Sequence, residues 1–318
     1  MKKNKNKYLD RSRSLIEFID KSPTPFHVVN SFKEELQSAG YVELYEHDKW
    51  HLSSGGKYFV TRNESSLVVF SIGSEDPEDS GFKIIGAHTD SPNLRLKPNP
   101  VYLKNGYAQL GVEVYGGALL TTWTDRDLSL AGRVILKPSS TKKTLKKNRL
   151  FEKKISTLVG CDFVSRLVAF DRPLLRIPQL AIHLNRSVNE KGLVLNPQNH
   201  LPPIFALVDQ KTKSKTLLID LLAEELKCKP TDILGLEMQL YDLQKGTLAG
   251  VNDEFVFASR LDNLASCHAA MMALLESSKK DLATRVLVFY DNEEVGSDTA
   301  QGASSPFLKD ILERISIT

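Results

Sequence analysis

The chain has 318 residues, with 42 lysines and arginines against 39 aspartates and glutamates, a formal charge of +3. Hydrophobic residues at 41% and charged residues at 25% are ordinary globular values, which exclude a wholly disordered chain. The near balance of charge excludes a dedicated nucleic-acid binder, and no apolar run reaches the ~18 residues that a membrane-spanning helix needs. The basic start MKKNKNKYLD leads into an amphipathic segment rather than an apolar one, so it does not read as a secretory signal. Cys161, Cys228 and Cys267 are odd in number and widely spaced. That argues against a disulfide framework or a thiolate zinc site and fits a reducing cytoplasm.

Leu15, Ile16, Phe18 and Ile19 recur at helical spacing before a Ser-Pro-Thr-Pro break at residues 22–25. Phe26, Val29, Phe32 and Leu36 mark a second helix, and Gly40 lies where it would stop. Residues 58–61 and 67–72 read as a hairpin turned by the polar residues 63–66. Residues 82–87 (FKIIGA) read as a strand buried in a parallel sheet, delivering His88 and Asp90 at its carboxyl end. From Pro98 the texture becomes β-rich, with strands over 109–115 and 133–136 and one main helix, Leu217–Leu226. The α/β texture returns near Asp262. A helix follows through Leu264, Cys267, His268, Met271, Met272 and Leu275. Residues 286–290 (VLVFY) read as a second buried parallel strand, ending in Asp291, Glu293 and Glu294, and 306–317 as a last amphipathic helix. The expectation is an α/β fold, an open mixed sheet flanked by helices, interrupted by a β-rich insertion. Its bounds are 1–97 for the first part, 98–247 for the insertion and 248–318 for the second part. The basic cluster over 137–154 lacks interleaved aromatics and reads as a solvated loop.

Four clusters carry chemistry: GAHTDSP (86–92), AIHL (181–184), SRLDN (259–263) and DNEEVGS (291–297). Hydrolysis with two divalent ions requires a carboxylate between the ions and an imidazole or carboxylate on each. It also requires a separate carboxylate to accept the proton of the attacking water. The first, third and fourth clusters supply those residue types, and open α/β sheets place ligands beyond the carboxyl ends of their strands. In His88-x-Asp90 the aspartate can receive the second ring N–H, fixing the tautomer and raising the basicity of the imidazole toward a metal. Adjacent Glu293 and Glu294 point in different directions if strand geometry persists, so one can ligate while the other faces water. Other residues have blander readings. His27 is a helix-start residue, His268 and Cys267 are core, His51 and His200 are surface, and Trp123 packs within the insertion. By itself, His183 reads as a strand histidine.

The segments SPTPFH (22–27), GAHTDSPNLRLKP (86–98), VEVYGG (112–117), TWTDRDLSLAGRV (122–134), RIPQLAIHLNR (176–186), RLDN (260–263) and FYDNEEVGSDTAQGA (289–303) occur in this order. With them the chain resembles the aspartyl aminopeptidase family, cytosolic di-zinc exopeptidases that remove N-terminal residues from peptides. The resemblance implies a zinc exopeptidase-like fold and two divalent ions, zinc by preference. It makes His88 a ligand of one metal, Asp262 the bridge, Glu294 a ligand of the second and Glu293 the general base. Asp90 would orient His88, and His183 would help bind substrate in the active site of a neighbouring subunit. It further implies peptide substrates and a homo-oligomer, a dodecamer in the family, with no nucleic-acid or membrane partner. Acidic N-terminal residues are the substrate preference in the family's name. Chains of the family continue past the point that matches Thr318, with a further aspartate and histidine as ligands. The expectation is therefore weak metal binding, an apolar face on the last helix that partly lacks its usual cover, and poor activity of the isolated chain. The competing reading is a catalytically silent homologue that keeps an assembly or partner-binding role. A different di-metal amidase would share the metal logic but not the AIHL and AGRV segments.

Overall fold

The computed structural model describes residues 2–138, 152–156, 162–208, 216–277 and 281–318. The basic residues Lys142, Lys143, Lys146, Lys147 and Arg149, and Cys161, lie outside them. In chain order the elements begin with α1 (Lys2–Lys21), α2 (Pro25–Ser38), β1 (Val42–Leu44), β2 (Lys57–Arg62), β3 (Ser66–Ser71), α3 (Pro77–Ser80) and β4 (Phe82–His88). Then come β5 (Asn93–Lys104), β6 (Tyr107–Tyr115), β7 (Leu128–Leu136), β8 (Glu152–Ser156), β9 (Asp162–Ala169), α4 (Val188–Lys191), α5 (Pro197–His200), β10 (Ile204–Leu207), α6 (Leu217–Leu226) and β11 (Ile233–Asp242). The chain closes with β12 (Thr247–Ala249), β13 (Phe255–Phe257), α7 (Leu261–Glu276), β14 (Thr284–Tyr290) and α8 (Phe307–Ser316).

Two compact units result, Met1–Ser91 with Lys245–Thr318, and Pro92–Gln244. The texture of the sequence changes at 98 and 247, a few residues inside the second unit and the first. Strand β5 already starts at Asn93 and carries Pro98 and Pro100 inside it, at a register shift between Leu96 and Val101. A bulge of that kind tolerates prolines that lack the ladder N–H.

In the first unit Thr24 caps α2, accepting the His27 N–H at 3.4 Å, and Pro25 occupies the first turn where no N–H is needed. Gly40, at φ +81°, lets the chain leave the helix. Strands β2 and β3 pair antiparallel through a tight turn in which Asn63 and Glu64 both take positive φ and Ser65 N–H donates to the Arg62 carbonyl at 3.2 Å. The register pairs Arg62 with Ser66, so a three-residue loop, Asn63 to Ser65, closes the hairpin. Among the described residues the sheet order is β1-β2-β3-β14-β4. Strand β14 runs parallel to β4 and antiparallel to β3, so the sheet is mixed and open.

Alternation along β3 and β14 feeds two cores. Leu67, Val69, Leu287 and Phe289 pack with Phe18, Phe32, Leu264 and Met271 of α1, α2 and α7. Val68, Phe70, Val286 and Val288 pack with Trp50 and with Phe307, Ile311 and Ile315 of α8. Successive side chains of a strand face opposite sides, so a strand covered on both faces must be apolar throughout. The apolar face of α8, at i, i+4 and i+8, is therefore buried on the sheet, where partial cover was expected. The expectation of a buried β4 is also corrected. Ile84 and Ile85 are 45% and 48% exposed, because β4 pairs on one side with β14 and forms an edge among the described residues.

The second unit is built on an antiparallel sheet in the order β10-β6-β5-β11-β7-β9-β8. Leu94, Leu110, Leu128, Leu130, Val134 and Leu240 form its core, and α6 adds Leu218, Leu222 and Leu226 from one face. Among the described residues no helix is long and apolar enough to cross a membrane.

Candidate metal centre

The parallel ladder between β4 and β14 sets Tyr290 opposite His88, so both strands deliver their carboxyl ends to one place. The ladder is continued by Thr89, whose N–H donates to the Tyr290 carbonyl at 2.7 Å. Past Tyr290 the strand does not persist. Asn292 takes a left-handed φ of 65°, and Glu293 and Glu294 lie in a short 3-10 turn. Their separation therefore comes from a turn, not from the strand alternation expected.

The buried Asp90 holds that turn. Its Oδ1 accepts the Glu293 N–H at 3.2 Å and its Oδ2 accepts the Glu294 N–H at 3.1 Å. The same carboxylate lies 3.3 Å from His88 Nδ1, which is also 3.1 Å from the Asp90 carbonyl. With Nδ1–H turned to Asp90, Nε2 presents its lone pair outward, 3.4 Å from Asp262 Oδ1 and 3.7 Å from Glu293 Oε2. Asp262 lies in extended backbone at φ −83° and ψ 115°, after Arg260 at φ 55°, and its peptide bond to Asn263 is cis. Ligand atoms of His88, Asp262 and Glu294 all lie within 4.8 Å of one another.

The electrostatics fit a cation. Burial alone would lower the His88 imidazole, but its hydrogen bond to Asp90 and the charges of Asp90, Glu293 and Asp262 outweigh burial and raise it. Burial, then the Asp90 charge, pushes the Glu294 carboxyl up, with Asp262 and Glu293 adding to the rise and His88 opposing it. Carboxylates gathered this closely repel one another until a positive charge lies among them. One imidazole and two carboxylates suit zinc, and two ligands each ~2.1 Å from a tetrahedral ion stand about 3.4 Å apart. The His88–Asp262 separation of 3.4 Å meets that spacing.

The other candidates fall elsewhere. His183 lies in the second unit on an exposed 3-10 turn, Ile182–Leu184, and not on a strand. His268 is buried, with Nε2 2.9 Å from Ser14 Oγ and its ring against Phe18. His27 Nδ1 is 2.8 Å from Thr24 Oγ1, while His51 and His200 are exposed. Trp123 packs against the second unit's core.

Sequence reasoning missed three supporting residues. Ser91 Oγ donates to the Asp262 carbonyl at 2.7 Å, and Asn263 Oδ1 accepts the His88 N–H at 3.4 Å. Cys267, apparent only as core, donates its S–H to the His88 carbonyl at 3.0 Å. Burial and the charge of Asp90 push that thiol up, which keeps the S–H in place as a donor. The position of Ser91 and Asn263 next to the His-x-Asp and Arg-Leu-Asp motifs was the available signal.

The match of the family model for the aminopeptidase I zinc metalloproteases (M18) covers residues 18–318. The chain belongs to the peptidase M18 family. A probable M18 family aminopeptidase 2 of Pseudomonas aeruginosa is 46% identical over 306 residues, covering 96% of this chain and 66% of the relative. The solved structure of Chaetomium thermophilum mApe1 is 37% identical with a TM-score of 0.82, covering 96% of this chain and 67% of that one. The S. cerevisiae mApe1 dodecamer is 29% identical with a TM-score of 0.77, covering 98% and 67%. The chain thus spans about two thirds of the length of the M18 relatives it matches, and its mixed α/β fold is theirs.

Proposed function

We propose that this chain is the metal-binding portion of an M18 aminopeptidase that hydrolyses N-terminal residues from peptides. The observation that carries the reading is the meeting of His88, Asp262 and Glu294 within 4.8 Å, with Glu293 at 3.7 Å from His88. His88 would hold one divalent ion, Asp262 would lie between two, and Glu294 would hold the second. Zinc fits this donor set and the family description. When bound, such ions supply Lewis acidity, lowering the pKa of water and polarising the peptide carbonyl. Glu293, held by its N–H on Asp90 and 53% exposed at its side chain, is free to take the proton of the attacking water. The water oxygen bonds to the carbonyl carbon, the carbon–nitrogen bond breaks, and Glu293 returns the proton to the leaving amine. Asp90 keeps His88 in the tautomer that offers Nε2.

Assembly, substrate and location extend the same reading. Leu180, Ile182 and Leu184, exposed around His183, fit a surface covered by a second copy in a homo-oligomer such as the mApe1 dodecamer. There His183 would contact substrate bound by the neighbouring subunit. We take acidic N-terminal residues as the preferred substrates and the cytoplasm, consistent with the free thiols of Cys228 and Cys267, as the location. The test measures zinc content together with hydrolysis of aspartyl, glutamyl and leucyl N-terminal substrates, with and without chelator. In a form extended through the full length of the M18 relatives, Glu293→Gln should retain zinc and lose turnover. A chain that takes up no zinc refutes the metal centre, and turnover that survives Glu293→Gln refutes the base assignment.

A further inference from the structure

Four consecutive residues, His88 to Ser91, each engage another part of the first unit. His88 faces Asp262 and Glu293, Thr89 bonds Tyr290, Asp90 bonds Glu293 and Glu294, and Ser91 bonds Asp262. Three of these connections orient the metal donors from the β14 side or through His88 itself. The fourth is different, because it reaches the main chain of the other donor.

Asp262 needs such a tether more than its neighbours do. Its backbone is non-helical and follows a left-handed Arg260, so the first turn of α7 does not hold it in a regular ladder. Its side chain is 77% exposed, so packing does not fix the carboxylate. Asn263 Nδ2 approaches Asp262 Oδ1 at 3.4 Å, near the outer limit of a hydrogen bond. Against these, the Ser91 hydroxyl is buried and donates to the Asp262 carbonyl at 2.7 Å. Ser91 and His88 share one short segment, so this bond couples the Asp262 backbone to the segment that carries the imidazole. Metal sites tolerate only ~0.2 Å of error in ligand distance, and a functional constellation about 0.5 Å.

We propose that Ser91 is a positioning residue of the metal centre, acting through Asp262 to set the spacing of Asp262 Oδ1 from His88 Nε2. The inference rests on the reading that His88 and Asp262 hold a divalent ion. Metal affinity then depends on a hydroxyl that never touches the metal.

The experiment compares wild-type chain with Ser91→Ala, Ser91→Thr and Ser91→Cys. Zinc affinity is read by competition with a chromophoric chelator, ligand geometry by the visible absorption of bound Co2+, and fold by thermal unfolding in chelator. Ser91→Ala should weaken zinc binding 10–100-fold and change the Co2+ spectrum, with metal-free unfolding at the wild-type temperature. Ser91→Thr, which keeps the hydroxyl, should restore both readouts. Should Ser91→Ala not fold, Ser91→Cys, a poor donor of similar shape, carries the test through the same affinity. Wild-type affinity in Ser91→Ala or Ser91→Cys overturns the inference alone. So does a lost affinity that accompanies metal-free destabilisation with an unchanged Co2+ spectrum. A wild-type chain that binds no zinc overturns the metal reading and this inference together.

Discussion

Asp90→Asn is the sharpest perturbation of the candidate centre, because one buried carboxylate serves three partners. Its two oxygens accept the N–H groups of Glu293 and Glu294 at 3.2 and 3.1 Å, and Oδ1 faces His88 Nδ1 at 3.3 Å. Asparagine keeps one acceptor oxygen and replaces the other by an NH2 group, which must face an N–H donor. A hydrogen bond to a charged group contributes ~1.5–3 kcal/mol, and a buried donor left unpaired costs ~1–3 kcal/mol. The local closed state of the 293–295 turn should therefore lose at least ~2 kcal/mol, which raises its opening equilibrium about 30-fold. Hydrogen exchange measured on a peptide spanning the turn reads that directly, as faster exchange at Glu293 and Glu294 under conditions where exchange tracks opening. The β2–β3 hairpin, held by its own backbone ladder, should keep its protection. Loss of the anionic partner of His88 should also reduce zinc affinity ~10–100-fold. Exchange at both glutamates within a factor of two of wild type would refute the assignment of Asp90 as the anchor of this turn.

Other perturbations separate core from edge and site from scaffold. Burial, then the charge of Arg260, lowers the His27 imidazole to about 4, so the folded state resists protonating it. The neutral form is held without penalty above 6.5, and stability is lost as pH falls from 6.5 through 4, by ~3 kcal/mol in total; His27→Gln should flatten that part of the curve in pH-dependent unfolding. Phe307→Ala, in α8 beneath Trp50 and Val286, should destabilise by ~3–5 kcal/mol, read by the Trp50 fluorescence transition. Ile84→Ser, on the half-exposed edge strand, should cost under ~1.5 kcal/mol, and a larger thermal shift would mean β4 is buried in solution. Zinc at about 1,000 times its dissociation constant should stabilise the wild type by ~4 kcal/mol. It should leave His88→Ala unmoved in the same thermal scan.

The apolar runs at 67–72 and 286–290 announced strands because both of their faces are buried, which removes the need for polar alternation. The run at 82–87 has the same texture, yet Ile84 and Ile85 are half exposed. Local hydrophobicity reports what a strand could bury, and strand order is decided by pairings between distant segments. The same limit explains α8. Its amphipathic face was legible, but the sheet that covers it comes from residues 50–70 and 286–288. At the candidate centre, the residue types of the clusters that hold His88, Asp90, Asp262, Glu293 and Glu294 pointed to metal hydrolysis, and the role proposed for each came from the family resemblance. Ser91 and Asn263 act through backbone groups, and a serine or asparagine in a polar loop carries no chemical label for such a role.

The chain leaves the first unit immediately after Ser91 and returns at Lys245, so its donors meet across an insertion longer than many domains. The entropic cost of that separation is modest. Closure grows by ~0.6 kcal/mol per doubling of loop length, so going from a ~10-residue connection to this one adds about four doublings, or ~2.4 kcal/mol for a flexible chain. An insertion that is itself folded, as Pro92–Gln244 is, fixes its own ends and adds less. The two hydrogen bonds that Asp90 accepts from Glu293 and Glu294, at ~1.5–3 kcal/mol each, together exceed that cost. Insertion directly after His88-Thr89-Asp90-Ser91 is thus compatible with a well-ordered centre, because within the first unit Thr89 bonds Tyr290 of β14, Asp90 holds the 293–295 turn and Ser91 bonds Asp262.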